Sequence, residues 1–374
     1  MIYFDNASTS IIEDSVLKSF NEIIKSYPAN PNSNHRIGFL ANRKLQQARD
    51  DILKTLKLDK EKYDVIFNSG ATEGINHVIK GYALKNQNRG LEIISFNNEH
   101  IAVLKSLDYL RNKGFKITYV NCDKNGEIDY NDLQKKINNQ TIMVIVMSVN
   151  NEVGAINDIV RISDIVSKYK KCVFFSDITQ SVGKIQENYN GIDMMAFSPH
   201  KFGGLTGSGV LIKKKKILLE KLIDGGSQEN NYRSGTASLA LHASSSYALQ
   251  LANSNLKKNL EKVNNLKKIL INELSSIDEI EINSHNKFPY IINFSLKNKK
   301  ASVVIEALSQ KEIYVSSLSA CSSKLNKKSY VLTNMNKNFQ ISTNSIRVSF
   351  SHNNTEKEVL IFVKEIKEIL NQIK

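Results

Sequence analysis

Three cysteines, Cys122, Cys172 and Cys321, are all that this chain of 374 residues carries, and they are widely separated with no C-x-x-C pair. That spacing supports neither a disulfide framework nor a zinc site, so any reactive thiol must act singly. No apolar run approaches the roughly 20 residues that a membrane span needs. The opening MIYFDNASTS also lacks the basic, then apolar, pattern of a signal peptide, so a cytoplasmic protein with no membrane partner is expected. Internal repeats and low-complexity tracts are missing apart from a general excess of Asn and Lys. So are the Walker and dinucleotide glycine signatures.

What is present is an ordinary globular composition, 41% hydrophobic and 24% charged, in a chain long enough for a large domain and a smaller one. The net charge of +14 comes from scattered lysines. The one tight cluster, KKKK at 213–216, reads as a solvated strand end, and direct nucleic-acid binding is not expected. From residue 60 to about 215, seven short apolar runs (YDVIFNS, EIISF, FKITYVN, TIMVIVMSV, CVFFSD, IDMMAFS, GSGVLI) alternate for the most part with amphipathic helical segments. That pattern predicts an α/β fold with a mostly parallel sheet, its site gathered from loops at the strand ends. One long helical stretch follows RSGT. A mixture of strands and helices beyond it predicts a separate α+β domain from near residue 250.

Chemistry-bearing residues stand just past several of these runs. In IDMMAFSPHKFGG, Lys201 follows a buried strand; it is either a solvated loop lysine or an amine placed for chemistry. Asp177 ends CVFFSD, where a buried carboxylate needs a hydrogen-bonding or cationic partner, a helix start or a protonated pyridine nitrogen both qualifying. Gly70, Ala71 and Thr72 lie between a strand and a helix, where free amides and a hydroxyl suit a phosphate as well as an ordinary turn. His100 in FNNEHIAVL is placed to cap a helix or to stack on a flat ring. Taken together, a lysine able to form a Schiff base, an acid for a ring nitrogen, a phosphate cradle and a stacking imidazole are the parts that hold pyridoxal phosphate.

Nearly end to end, and in order, YFDNAST, NPNSNHRIG, NSGATEGINHVI, NEHIAVL, VNNEVGAI, SDITQSVGK, SPHKFGG, GGSQENNYRSGT, SACSSK and IRVSFSHNNTEKE resemble the cysteine desulfurases of the NifS/IscS type, class V enzymes of fold type I. The resemblance implies a pyridoxal-phosphate-binding domain over 13–249, with a mostly parallel seven-stranded sheet. It implies a small α+β domain from 1–12 and 250–374 that carries the cysteine loop. Lys201 would link to the cofactor, Asp177 would pair with its ring nitrogen, Gln180 would donate to its phenolic oxygen, and His100 would stack on the ring and handle protons. Ala71, Thr72, Ser198 and His200 would hold the phosphate, joined by Thr236 of a second subunit in a homodimer. Asn151 and Arg347 would bind the L-cysteine substrate.

Cys321 lies in a Ser-rich segment, SLSACSSKLNKKS, that reads as a mobile loop. The resemblance makes it the acceptor of the sulfur, which passes as a persulfide to an iron–sulfur scaffold or a tRNA-thiolation enzyme. A selenocysteine lyase, a class V aminotransferase and a non-catalytic basic scaffold that binds RNA are the alternatives. Departures from the usual pattern fall at Ile178, Leu205 and His352, none of which removes a named catalytic group.

Overall fold

The computed structural model describes residues 1–285, 287–317 and 328–372. The chain opens with a short strand, β1 (Ile2–Tyr3), and two helices, α1 (Asp14–Ser26) and α2 (Arg36–Thr55). Strand and helix then alternate: β2 (Tyr63–Asn68), α3 (Ala71–Lys85), β3 (Glu92–Phe96), α4 (Ile101–Arg111), β4 (Lys116–Val120), α5 (Tyr130–Lys136), β5 (Thr141–Ile145) and α6 (Ile159–Ser167). Three strands complete the set: β6 (Val173–Asp177), β7 (Met194–Phe197) and β8 (Gly209–Lys214).

These strands form the expected seven-stranded sheet in the order β2-β8-β7-β6-β5-β3-β4, parallel except for β8, which runs antiparallel to both its neighbours. Every residue of β5, β6 and β7 is buried. Layers on both faces explain why those strands read as unbroken apolar runs rather than alternating ones. Along β7, Met194 and Ala196 enter the core on one side while Met195 and Phe197 enter the core on the other.

The expected long helical stretch is helical and divides into α7 (Leu239–Ser254) and α8 (Leu256–Ser275), because Asn255 leaves helical geometry at φ −97°, ψ 2°. Beyond them come β9 (Ile280–Ile282), β10 (Ile291–Leu296), α9 (Ala301–Gln310), β11 (Ile313–Tyr314), α10 (Tyr330–Asn334), α11 (Phe339–Thr343), β12 (Ser345–Ser349) and α12 (Glu356–Gln372). β10 lies between β9 and β12 in an antiparallel sheet, and β1 pairs in parallel with β11. Leu270 of α8, Val304 of α9 and Phe362 of α12 share one core with this sheet. Phe4 packs edge-on against Phe350 and Phe362 in that core. Residues 5–10 therefore run from it to the ends of the large sheet. Among the described residues, no helix is long and apolar enough to cross a membrane.

One expectation needs correction. Lys213, the first of the four consecutive lysines, is fully buried rather than solvated. Its β8 position faces Asp64 of β2 across the antiparallel pair, its Nζ lies 3.2 Å from Asp64 Oδ2, and the Tyr232 ring covers it at 4.4 Å. An ion pair and an aromatic face together offset the cost of burying that ammonium.

A second buried pair holds a strained turn. Glu229, Asn230 and Asn231 have φ of 49°, 55° and 65°, three non-glycine residues in succession in the left-handed region. Arg49 Nη2 donates to Glu229 Oε1 at 2.7 Å, and the Phe67 N–H donates to Oε2 at 2.8 Å. Glu229→Ala would leave Arg49 buried without its carboxylate, so it is expected to cost about 3–5 kcal/mol of stability, read as a lower urea midpoint.

Candidate active site

Past the carboxyl ends of β6 and β7 lies a cavity of about 250 Å³. Each strand end delivers one functional side chain. After the buried β7, Ser198 leads into a tight turn, Pro199–Lys201, and Lys201 enters the cavity. Gly203 then takes φ +91°, a conformation that a side chain would strain. Residues 9 and 10 strap this turn: the Ser10 N–H and Oγ both donate to the His200 carbonyl, and Ser10 Oγ accepts from the Gly203 N–H. The sheet and the N-terminal strap thus fix Lys201 from two sides. Its Nζ donates to the carbonyls of Ala7 and Ser8.

Opposite stands the start of α3. Gly70 caps this helix without a side chain, and the Ala71 N–H donates to Ser198 Oγ at 2.7 Å. Gly209, at the start of β8, lies so close that a Cβ there would stand 2.4 Å from the Gly70 backbone, so only glycine lets the two segments approach. Ala71, Thr72, Ser198 and His200 line this end of the cavity. Amides at a helix N-terminus with hydroxyls beside them make an anion site. Burial, with Lys201 and Lys184 nearby, pushes His200 down to about 4, so its imidazole is neutral at neutral pH.

Asp177 ends β6 and is 5% exposed; its Oδ1 accepts the Thr179 N–H at 3.0 Å. The turn role and the cavity role therefore coexist. His100 likewise does both jobs: its Nδ1 accepts the Ala102 N–H as the N-cap of α4, and its ring lines the cavity. Burial lowers its pKa, opposed by Asp177 and reinforced by Lys201, so it rests as a neutral base. Gln180, 4% exposed, donates from Nε2 to the Ala7 carbonyl and accepts at Oε1 from Lys184.

The third wall comes from the small sheet. Arg347 on β12 is 2% exposed; its Nη1 donates to the Asn151 carbonyl, and its Nη2 to Asp5 Oδ1 at 2.9 Å and Ser8 Oγ at 2.7 Å. Its Nε and Asn151 Oδ1 are buried, and neither has a partner among the described residues. Unpartnered buried donors and acceptors are costly, and a ligand in the cavity that met both would remove that cost.

This donor set fits the pyridoxal phosphate and amino acid that the sequence implies. It offers an amine, a carboxylate, a ring-stacking imidazole, an anion-binding helix start and a buried guanidinium. All the expected site residues meet here except two. Thr236 is exposed and lies outside the cavity, and Cys321 is outside the described residues. Reading the sequence missed Asp5, Ala7 and Ser8, which hold Arg347 and Lys201. Their signal was the opening YFDNAST, quoted without a role. The other cysteines are poorly suited to attack: Cys122 Sγ donates to the Asn334 carbonyl, and burial raises both the Cys122 and Cys172 thiols above their usual pKa.

A family model described as Aminotransferase class-V matches residues 2–362. Cysteine desulfurase IscS of Buchnera aphidicola subsp. Acyrthosiphon pisum (strain 5A) is 36% identical over 383 residues, covering 100% of this chain and 93% of the relative. A NifS/IcsS protein homolog of Lactobacillus delbrueckii subsp. bulgaricus is 33% identical, covering 99% and 97%. Among solved structures, a NifS-like protein superposes with a TM-score of 0.92 at 32% identity over 100% of both chains.

Proposed function

The chain belongs to the aminotransferase class-V family, among its NifS/IscS-type cysteine desulfurases, and from that premise we infer that it takes sulfur from L-cysteine, leaves L-alanine, and carries the sulfur on Cys321. The observation that carries this reading is the single cavity in which Lys201, Asp177 and His100 face the buried guanidinium of Arg347.

Pyridoxal phosphate, when bound, supplies a protonated heterocycle that accepts the electron pair left at the substrate α-carbon. Asp177 would hold the proton on the ring nitrogen, and the amides and hydroxyls of Ala71, Thr72 and Ser198, with His200, would hold the phosphate. Lys201 Nζ would be the amine that holds the cofactor covalently and, when free, would act as the base beside the substrate α-carbon. His100, neutral by burial, would stack on the ring and take up or return a proton at its other ring nitrogen. Arg347 offers its unpartnered Nε–H and its buried positive charge to the substrate carboxylate. The Cys321 thiolate would attack the substrate sulfur: an S–S bond forms, the Cβ–S bond breaks with its electron pair left on Cβ, and Cβ takes up a proton, so that the substrate leaves as alanine.

Arg347→Ala is expected to leave cofactor uptake intact but to lower kcat/KM for L-cysteine by about 10²- to 10³-fold, chiefly through KM. Alanine production measured against cysteine concentration checks this; a parent-like KM would remove Arg347 from the substrate site.

We further propose a cytoplasmic homodimer, with the chain divided into domains at 13–249 and at 1–12 with 250–374. The exposed position of Thr236, and the exposed Ile37, Phe39 and Leu40 of α2, support a second copy that completes the phosphate site. The acceptor of the persulfide is a scaffold for iron–sulfur clusters or a tRNA-thiolation enzyme.

A further inference from the structure

One buried cation beside the cavity has no part in that chemistry. Lys184 is 5% exposed, four residues past Gln180, and the charges acting on it are those of two other cations, Lys201 and Arg347. Burying an ammonium among like charges is expensive, and an apolar side chain would fill the space at lower cost. What the amine does make is a hydrogen bond: Nζ donates to Gln180 Oε1 at 2.9 Å, with the Tyr290 ring 5.9 Å away.

The two ends of a glutamine amide have almost the same shape, so packing alone does not choose between them. An ammonium carries only donors, and it draws Oε1 towards itself. Nε2 is thereby turned the other way, where it donates at 3.0 Å to the Ala7 carbonyl, the same oxygen that Lys201 Nζ meets at 2.8 Å. The donor end of Gln180 therefore stands beside the reactive amine. Burial, followed by Lys201 and Arg347, lowers Lys184 to about 7, and even the neutral amine keeps N–H groups to donate.

We propose that Lys184 is a positioning residue: it fixes which end of the Gln180 amide meets the cavity, so that a bound ring with an oxygen next to its carbonyl-derived carbon finds N–H donors rather than a second acceptor. This rests on the pyridoxal-phosphate reading above. Without Lys184 the Ala7 carbonyl alone selects the orientation, against which a turned amide would set two oxygens, so the preference for the donor end weakens.

The experiment is a cycle of Lys184→Met, Gln180→Leu and the double variant, measuring the dissociation constant of pyridoxal phosphate and the visible absorption maximum of each loaded protein. Lys184→Met is expected to weaken binding by about tenfold and to shift the band, while its melting temperature stays level or rises. The double variant should be no worse than Gln180→Leu, because one residue acts through the other. Lys184→Gln, which restores a donor, should recover much of the affinity.

Parent-like affinity and band in Lys184→Met, or additive losses in the double variant, overturn the proposal. Lys184→Ala serves with the same two outcomes if Lys184→Met does not fold, and parent-like binding by Gln180→Leu overturns the proposal by itself. A parent chain that takes up no pyridoxal phosphate fails earlier, and what falls then is the cofactor reading.

Discussion

Cys321→Ser is expected to bind pyridoxal phosphate and L-cysteine as the parent does, yet to form no persulfide and to lose turnover by about 10²- to 10⁴-fold. A serine hydroxyl at neutral pH has neither the thiolate's charge nor its polarizable nucleophilic sulfur. No other thiol is placed to substitute. Cys122 is tied to the Asn334 carbonyl beneath α10, and Cys172 precedes β6, at the strand's opposite end from Asp177 and the cavity. Mass spectrometry of the chain after one turnover reads the bound sulfur, and alanine release reads the rate. A transaminase needs no thiol, so unchanged release of alanine and sulfide by Cys321→Ser would contradict the assignment.

Lys201→Ala carries the largest loss. In the proposed reaction the side chain serves twice, as the covalent attachment and as the base beside the substrate α-carbon, so turnover is expected to fall by about 10⁴-fold or more. Binding of the cofactor should persist in non-covalent form, because Asp177, His100, Thr72 and Ser198 remain in place. The absorption band of the linked form should vanish while a weaker, dialysable complex survives. Lys184 is the obvious rival amine nearby, but it points into the Gln180 carbonyl and borders a neighbouring cavity rather than the active one. Retained covalent binding in Lys201→Ala would mean that the wrong lysine has been chosen.

Much of this was legible from the sequence because the large sheet is built from local pattern. An apolar run ending in SPHK places an amine at a strand end, and GAT between strand and helix gives a helix start suited to an anion, whichever strand lies next to it. Contacts between remote segments were not legible in the same way. Asp5 and Ser8 reach Arg347 across more than 330 residues of chain, and no local periodicity encodes that meeting. Lys213 looked solvated because it heads a run of lysines; its burial follows from the β2–β8 pairing with Asp64, which is again non-local. The break at Asn255 was hidden for the opposite reason, since polar residues on an amphipathic helix mask a single one that stops it.

The most direct test is to load the parent chain with pyridoxal phosphate, reduce it with borohydride and map the modified peptide. The account predicts one pyridoxyl adduct, on the peptide containing His200 and Lys201. An adduct on Lys184 or any other lysine, or no adduct, would contradict it.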